Sequence, residues 1–506
     1  MNIAQHVERS ARHFRSRPAL ISGDRTVTYG ELEAAASRTA HGLQSLGVAA
    51  EDRVAILLPN IPEFPVVYLA TAKTGAVAVS LNVMLVPDEL RYVLADSGAK
   101  VLFTTAAQWP QVQPVVGSLP GLEHIVLCEG TIAGTRTLAE LGAGRPDAFK
   151  PVDLDRSAPA AILYTSGTTG KQKGATLSHG NVISNILATQ HLLRIDRDDR
   201  VALFLPLFHC FGQNFIMNAG FSAGACLVMH RRFDGDAVLA SVEKLGVTVF
   251  SAVPTIYINL LTAEVPKARL ASVRLFFSAA APLPKEVADR WRDVYGKPIY
   301  QGYGLTETSP LACFNHEFEH RLGSVGTPIE NVEMKVLDPE DREAPPNTWG
   351  EIAIRGPNVM IGYWNRPEET AQALRGGWFH TGDVGYVDAD GYFFLVDRLK
   401  DMVNSAGFKI WPREVEEALY RHPAVQECAV LGAPDPVMGE VVVAFVVLQP
   451  DARARAEEIE TFCREHVSAY KVPRKVLVVP ELPKSPTGKL LKRVLREWLA
   501  RDRRLS

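Results

Sequence analysis

The densest group of chemically useful residues is Tyr164-Thr-Ser-Gly-Thr-Thr-Gly-Lys-Gln-Lys-Gly174. After Tyr164 it holds four hydroxyl side chains, three glycines and two lysines in ten residues. Glycines let backbone N–H groups approach an anion, hydroxyls donate to its oxygens, and lysines supply charge. The segment follows an apolar strand expected over 160–164, where a flexible linker of the same composition would be out of place. It therefore reads as a phosphate-binding loop. It is not a Walker A loop: only two residues separate Gly167 from Gly170, and Gln172 follows Lys171.

Two other motifs are set aside on physical grounds. Gly220-Phe-Ser-Ala-Gly224 has the spacing of a hydrolase nucleophile elbow, which must follow a strand and open a helix. Here 214–219 is helix-like and 225–229 strand-like, the reverse order. His316-Glu-Phe-Glu-His320 matches a zinc-helix pattern, but Gly326 stands where a third histidine ligand would fall. The helix needed to align the two histidines would have to fit between Pro310 and Gly323. A polar surface loop explains the cluster.

The elements that must position the loop follow an α/β rhythm. Strands over 54–58, 76–81 and 101–105 alternate with helices over 62–74 and 87–97. The rhythm returns as strand 160–164, helix 180–191, strand 200–205, and again as strand 247–252, helix 256–261, strand 275–278. Such alternation implies βαβ units and a buried parallel sheet. Beyond about residue 330 the strands shorten between Pro, Gly and Asp turns, and from Asp397 the order becomes that of a small α+β unit. The expected fold is α/β. A large N-terminal region (1–396) has doubly wound, mostly parallel sheets and a β-rich subdomain. A hinge at 397–401 and a small mobile α+β region (402–506) follow.

The 506 residues are 47% hydrophobic and 22% charged, which excludes a disordered or fibrous chain. Lys and Arg number 54 against 57 Asp and Glu, so no global basic field points to nucleic acid. Six cysteines without a CxxC pair read as reduced thiols of a cytoplasmic protein. The N-terminus lacks the apolar core of a signal peptide, and no stretch reaches membrane-spanning length, leaving peripheral contact as the only membrane role.

Five motifs in order carry a resemblance: the phosphate loop, Tyr303-Gly-Leu-Thr-Glu307, Thr381-Gly-Asp383, Asp397-Arg-Leu-Lys-Asp401 and Pro486-Thr-Gly-Lys489. Over essentially its whole length the chain resembles the acyl-adenylate-forming superfamily of acyl-CoA synthetases, firefly-type luciferases and nonribosomal adenylation domains. The resemblance implies ATP, Mg²⁺ and CoA as partners. It implies that Thr165, Ser166, Gly167, Thr168, Thr169, Gly170 and Lys173 bind phosphates. It sets Ala280 and Ala281, in Ser278-Ala-Ala-Ala-Pro-Leu283, beside adenine, with Tyr303 stacking on the base. Thr306 would bond a phosphate, Glu307 would hold Mg²⁺, and Asp383 and Arg398 would take the ribose. Lys489 matches the catalytic lysine that bridges carboxylate and phosphate, and Lys400 the hinge. Ser405, Ala406, Gly407, Phe408 and Lys409 would flank the CoA channel. Three departures stand out: Gln172 where the family usually has proline, and Ala279 and Ala406 where it commonly has glycine.

The segment Leu205-Pro-Leu-Phe-His-Cys-Phe-Gly212 corresponds to the acyl-site lining, with His209 as a gate or aromatic contact. His209, Phe211, Val253, Gly302 and Gly304 are the expected acyl pocket. With Phe208, Phe215, Met217 and Pro254 nearby it is apolar. No basic group stands ready for a second carboxylate. The expected substrate is a medium- or long-chain fatty acid, with an aryl acid as the alternative. The expected product is a CoA thioester; an amide ligase using an amine would carry the same motifs. A hydrolase built on the two set-aside motifs and a ligand-binding pseudoenzyme are the competing classes. The second is weakened because Lys173, Glu307, Asp383 and Lys489 are all present. A monomer or homodimer is expected, without a carrier-protein domain.

Overall fold

A computed structural model describes residues 1–166, 172–485 and 488–501 of the chain. Gly167, Thr168, Thr169 and Gly170 of the expected phosphate loop lie outside the described residues, as do the side chains of Ser166 and Lys400.

Two large sheets form the N-terminal body. The eight-stranded sheet is built on parallel strands Arg53–Ile56, Val77–Ser80, Val101–Thr105 and Pro159–Ser166. Ala55 lies between Val79 and Leu102, and Ala78 beside Ala161. Helices Glu63–Thr74 and Pro87–Ser97 cover these strands, which explains their unbroken apolar runs: both faces are buried. The nine-stranded sheet has parallel strands Arg200–Leu203, Cys226–Met229, Val249–Ala252, Leu275–Ser278 and Ile299–Gly304 at its centre.

One expected βαβ unit does not form. Strand Gln172–Ser178 turns back antiparallel on Pro159–Ser166, setting Thr165 opposite Lys173 and Tyr164 opposite Gly174. That hairpin occupies the next place in the first sheet. Helix His179–Leu193 therefore carries the chain across to the second sheet, where Arg200–Leu203 pairs. The first fifty residues, unread by periodicity, supply helices Ala4–His13 and Tyr29–Ser45. They also supply strand Pro18–Ser22, which pairs parallel to Cys226–Met229.

A four-stranded antiparallel sheet follows (Glu333–Leu337, Gly350–Arg355, Phe379–Val387, Phe393–Arg398). Its last strand ends at Arg398, and the first strand of the smaller C-terminal domain starts at Val403. In that domain, strands Val425–Asp435 and Gly439–Leu448 alternate faces with the two-residue period of a pleated strand. Val430, Val442 and Val446 pack with Val415, Leu419 and Ile459 of helices Pro412–Tyr420 and Ala456–His466. Leu431, Val443 and Phe445 pack with Leu495 and Leu499 of helix Lys492–Arg501. Among the described residues no helix is long and apolar enough to cross a membrane.

Candidate active site

The expected ribose group assembles from three distant segments. Tyr303, on strand Ile299–Gly304, donates its hydroxyl to Asp383 Oδ2 at 2.8 Å. Arg398 Nε lies 2.9 Å from Asp383 Oδ1, across the register pair Asp383–Arg398. Asp383 is held from behind: its N–H donates to Thr381 Oγ1, that hydroxyl donates to Ile352 O, and Gly382 N–H donates to Glu351. Burial and the neighbouring Asp383 push the Tyr303 phenol well above its usual range, and Asp383 raises Arg398 further. The result is a fixed carboxylate with lone pairs still available to hydroxyl donors.

Two further residues to which the sequence assigned no role lie on the Tyr303 strand and its neighbour. Ser278 and Gln301 are register neighbours, both buried, and Ser278 Oγ and Gln301 Nε2 each lack a protein partner. Buried polar atoms of this kind are uncommon and need an account. They sit beside the half-buried Ala280 and Ala281. Ala280 adopts φ 70°, the left-handed conformation that favours glycine, so the alanine keeps a glycine's geometry.

Thr306 begins the short turn Thr306–Thr308 and is half-buried. Glu307 is buried, and burial raises its carboxyl above the usual range. Tyr363 donates its hydroxyl to Glu307 Oε1 at 3.0 Å. The Lys173 ammonium lies 5.3 Å from the centroid of the same Tyr363 ring and ion-pairs with Glu369. Tyr363 and Glu369 were likewise unpredicted. The only sequence signal was Arg366-Pro367-Glu368-Glu369, a proline-opened helix start with acids in its first turn.

Lys489 enters from the C-terminal domain. Gly488 turns with φ 76°, and a Cβ there would meet Val253 Cγ2 at 2.7 Å, so the lysine loop presses on the start of helix Pro254–Thr262. Burial first, then the Lys489 charge, lowers His209 to about 4. The structure thus brings Lys489 to the side of the expected acyl pocket.

That pocket is walled by rings. Phe211 meets Phe215 edge-on at 5.1 Å, Phe215 stacks on Phe277 at 4.5 Å, and Phe277 stacks on Phe314 at 6.0 Å. A Cβ at Gly302 would fall 2.5 Å from Phe277 Cζ, so only glycine fits there. A Cβ at Gly304 would fall 1.7 Å from Pro310 O. Phe211 and Phe215 belong to a single π-helical stretch, Phe211–Asn218, a form often found at functional sites.

The expected CoA-channel residues form a hairpin on the C-terminal domain. Ser405 is buried opposite Phe408, Ala406 and Gly407 turn with positive φ, and Phe408 and Lys409 are exposed. The Phe408 ring stacks on Tyr470 at 4.9 Å.

The set-aside motifs are structural. Ser222 is buried in helix Ala219–Ala223, ahead of strand Cys226–Met229. Its Oγ lies 2.8 Å from His6 Nδ1, and burial with the Arg9 cation lowers that histidine to about 4. Arg9 and Ser10 also bond this turn, so the pair fastens the N-terminal helix to the body. His316 bonds Thr327 and His320 packs edge-on to Tyr300 in an irregular loop. Among the described residues, the one His/Cys/Asp/Glu group with metal-like spacing is Asp341, Glu351 and His380. Arg375 already ion-pairs both of its carboxylates.

Comparison with known proteins identifies the family. Residues 7–364 match the AMP-binding enzyme family and 414–489 its C-terminal domain. A feruloyl-CoA synthase of an Amycolatopsis species is 39% identical over 495 residues, covering 96% of each chain. A long-chain-fatty-acid–CoA ligase of Bacillus subtilis is 34% identical over 519 residues, covering 96% of this chain and 93% of its own. The crystal structure of the anthranilate CoA ligase AuaEII with anthranoyl-AMP superposes with a TM-score of 0.93 at 31% identity, covering 98% and 97%. From the ordered motifs to the paired domains, this chain belongs to the AMP-binding enzyme family, within the acyl-adenylate-forming superfamily.

Proposed function

We propose that this AMP-forming acid–thiol ligase activates a flat aryl or arylpropenoic acid, as acyl-AMP and then as the CoA thioester. The carrying observation is the wall of stacked rings Phe215, Phe277 and Phe314 behind Gly302. A long alkyl chain would need room past Gly302, where Phe277 packs against the glycine and stacks between Phe215 and Phe314. A planar ring gains offset-stacked or edge contacts against the same wall. Apolar lining alone favoured a fatty acid. The ring packing and the 39% identity to a feruloyl-CoA synthase favour the aryl reading.

In this reading Asp383, oriented by Thr381 and Arg398, accepts from the ribose hydroxyls. Tyr303 and the Ala280 turn border adenine, with Ser278 and Gln301 offering unpaired polar atoms. Thr165, Thr306 and Lys173 face phosphate oxygens. A carboxylate attacking a phosphate is anion meeting anion, and Lys489 holds the two together and offsets their charge. A buried single carboxylate suits Mg²⁺, which takes few carboxylates plus phosphate oxygens, so Glu307 would hold the ion and the ion would neutralise phosphate charge. The small domain then turns about Lys400, withdrawing Lys489 and bringing the 405–409 hairpin to the thiol.

The test is pyrophosphate release with ATP, Mg²⁺ and a panel of ferulate, coumarate, benzoate, octanoate and palmitate, with and without CoA. Aryl acids are expected to lead in kcat/KM. A palmitate preference would overturn the aryl assignment, and ATP cleavage to ADP would overturn adenylate chemistry.

A further inference from the structure

The backbone around Lys173 is pinned from several sides. Tyr92 donates its hydroxyl to Gln172 O at 2.9 Å, and Tyr164 donates to Asp96 Oδ2 at 2.8 Å. Trp364 N–H donates to Gly174 O at 2.8 Å. Arg366 ties the two anchors together, donating to Tyr92 Oη at 3.0 Å and Asp96 Oδ1 at 2.8 Å. With the main chain held at 172 and 174, and the hairpin pairing Gly174 to Tyr164 and Lys173 to Thr165, what remains adjustable at Lys173 is its four-carbon side chain. That side chain, 16% exposed, ion-pairs with Glu369, whose side chain is 34% exposed. Arg366 Nε stands 3.9 Å from the other Glu369 oxygen.

We infer that Glu369 is the resident counter-ion of Lys173 and competes with the triphosphate for it. It is a positioning residue that sets how tightly ATP and pyrophosphate are held. The inference rests on the reading of Lys173 as a phosphate ligand. Bound to Glu369, the ammonium is partly neutralised in a poorly solvated place. To reach a phosphate it exchanges one anion for another, and Glu369 keeps Arg366 as its partner. The exchange lowers the net attraction for ATP. It lowers it equally for pyrophosphate, so the product leaves rather than reversing the adenylation. Acyl-AMP carries neither of the outer phosphates, so the transfer to thiol does not sense Glu369.

The experiment measures the KM for ATP and the inhibition constant for pyrophosphate in the unaltered enzyme, Glu369→Gln, Glu369→Asp, Lys173→Ala and the Glu369→Gln/Lys173→Ala double variant. Thioester formation from pre-made acyl-AMP is measured alongside as proof of folding. Glu369→Gln is expected to lower both constants by about three- to fivefold, the worth of a partly exposed ion pair. Glu369→Asp should return them toward the original values. Lys173→Ala should raise both constants and abolish the effect of Glu369→Gln in the double variant, as contact between the two side chains requires. Three outcomes would each overturn the competition: Glu369→Gln raising the ATP KM, leaving it unchanged, or changing it equally with and without Lys173. If Lys173→Ala itself leaves both constants unchanged, the phosphate role of Lys173 fails, and the competition fails with it.

Discussion

The nucleotide end and the acyl end of the site are built by different physics. At the proposed nucleotide end, Asp383, Tyr303, Arg398 and Glu307 are charged or hydrogen-bonding groups fixed mainly by one another and by Tyr363, side chain to side chain from distant segments. At the acyl end, Phe211, Phe215, Phe277 and Phe314 meet ring to ring across three elements. In the proposed reading the first half would recognise a cosubstrate with fixed donors and acceptors, so residue identity is dictated by chemistry. In that reading the second half would measure volume, and many side-chain combinations fill the same space. A variant at the nucleotide end should change rate for every acid alike, whereas one at the acyl end should reorder the acids.

The sharpest break of that comparison is Lys489, which stands between the halves. Loss of one fixed stabilising group costs about 10²–10³ in rate, or about 3–4 kcal/mol. Lys489→Ala should slow acyl-AMP formation by at least that factor for all acids and barely touch thioester formation from pre-made acyl-AMP. Equal slowing of both half-reactions would contradict the withdrawal of Lys489. The same variant has a structural signature. Lys489 adds to burial in holding His209 near 4, so removing the cation should raise that pKa while burial still keeps it below 6.5. Ring-proton NMR across pH 3–8 reads it directly.

Asp383→Asn comes next. It keeps the shape but removes the charge that Arg398 pairs and the ribose hydroxyls would use. Hydrogen bonds to a charged group count about 1.5–3 kcal/mol, so the KM for ATP should rise by roughly ten- to a hundredfold. The ranking of acids should not move. A changed ranking would mean that the two ends are mechanically coupled.

How much of this was legible in the sequence follows the same division. Lys173, Glu307, Asp383, Arg398 and Lys489 stand in short motifs, and the structure brings Asp383 and Arg398 together with Tyr303. The helices and parallel strands were legible too, since strands buried on both faces leave unbroken apolar runs. Three things were not. The hairpin Gln172–Ser178 carries Lys173, Gly174 and Thr176, a mixture without strand alternation; pairing with Pro159–Ser166 makes it a strand. Tyr363 and Glu369 reach the phosphate end only because strand Gly362–Tyr363 adds beside Ala175 and Thr176, a pairing more than 180 residues apart. And the ring wall of the proposed acyl pocket includes Phe277 and Phe314, which look like ordinary core residues in strands until the stacking is seen.

Phe277→Leu tests the acyl side. Replacing a ring 0% exposed with a smaller side chain should cost about 1–2 kcal/mol of stability through imperfect packing. It should also open the wall behind Gly302. Octanoate should gain in kcat/KM relative to ferulate, while the KM for ATP holds. A uniform loss for all acids would show that the ring supports the fold without setting the acyl group.

The smallest effect belongs to Ala280. Its φ of 70° puts a Cβ close to its own carbonyl, a cost of about 1–2 kcal/mol for an L-residue, which glycine escapes. Glycine in turn loses more freedom on folding, by about 0.5–1 kcal/mol. Ala280→Gly should therefore stabilise the protein by about 0.5–1 kcal/mol, read as a raised midpoint in urea at unchanged slope. Ala281 next to it, without positive φ, gives the control: Ala281→Gly should destabilise. If the strained turn presents the backbone to adenine, the stabilised variant should also bind ATP slightly less tightly, because the freed turn samples other conformations. A stabilised Ala280→Gly with unchanged KM for ATP would place the strain outside nucleotide recognition, and the division between a chemically dictated end and a space-filling end would then stop short of the adenine loop.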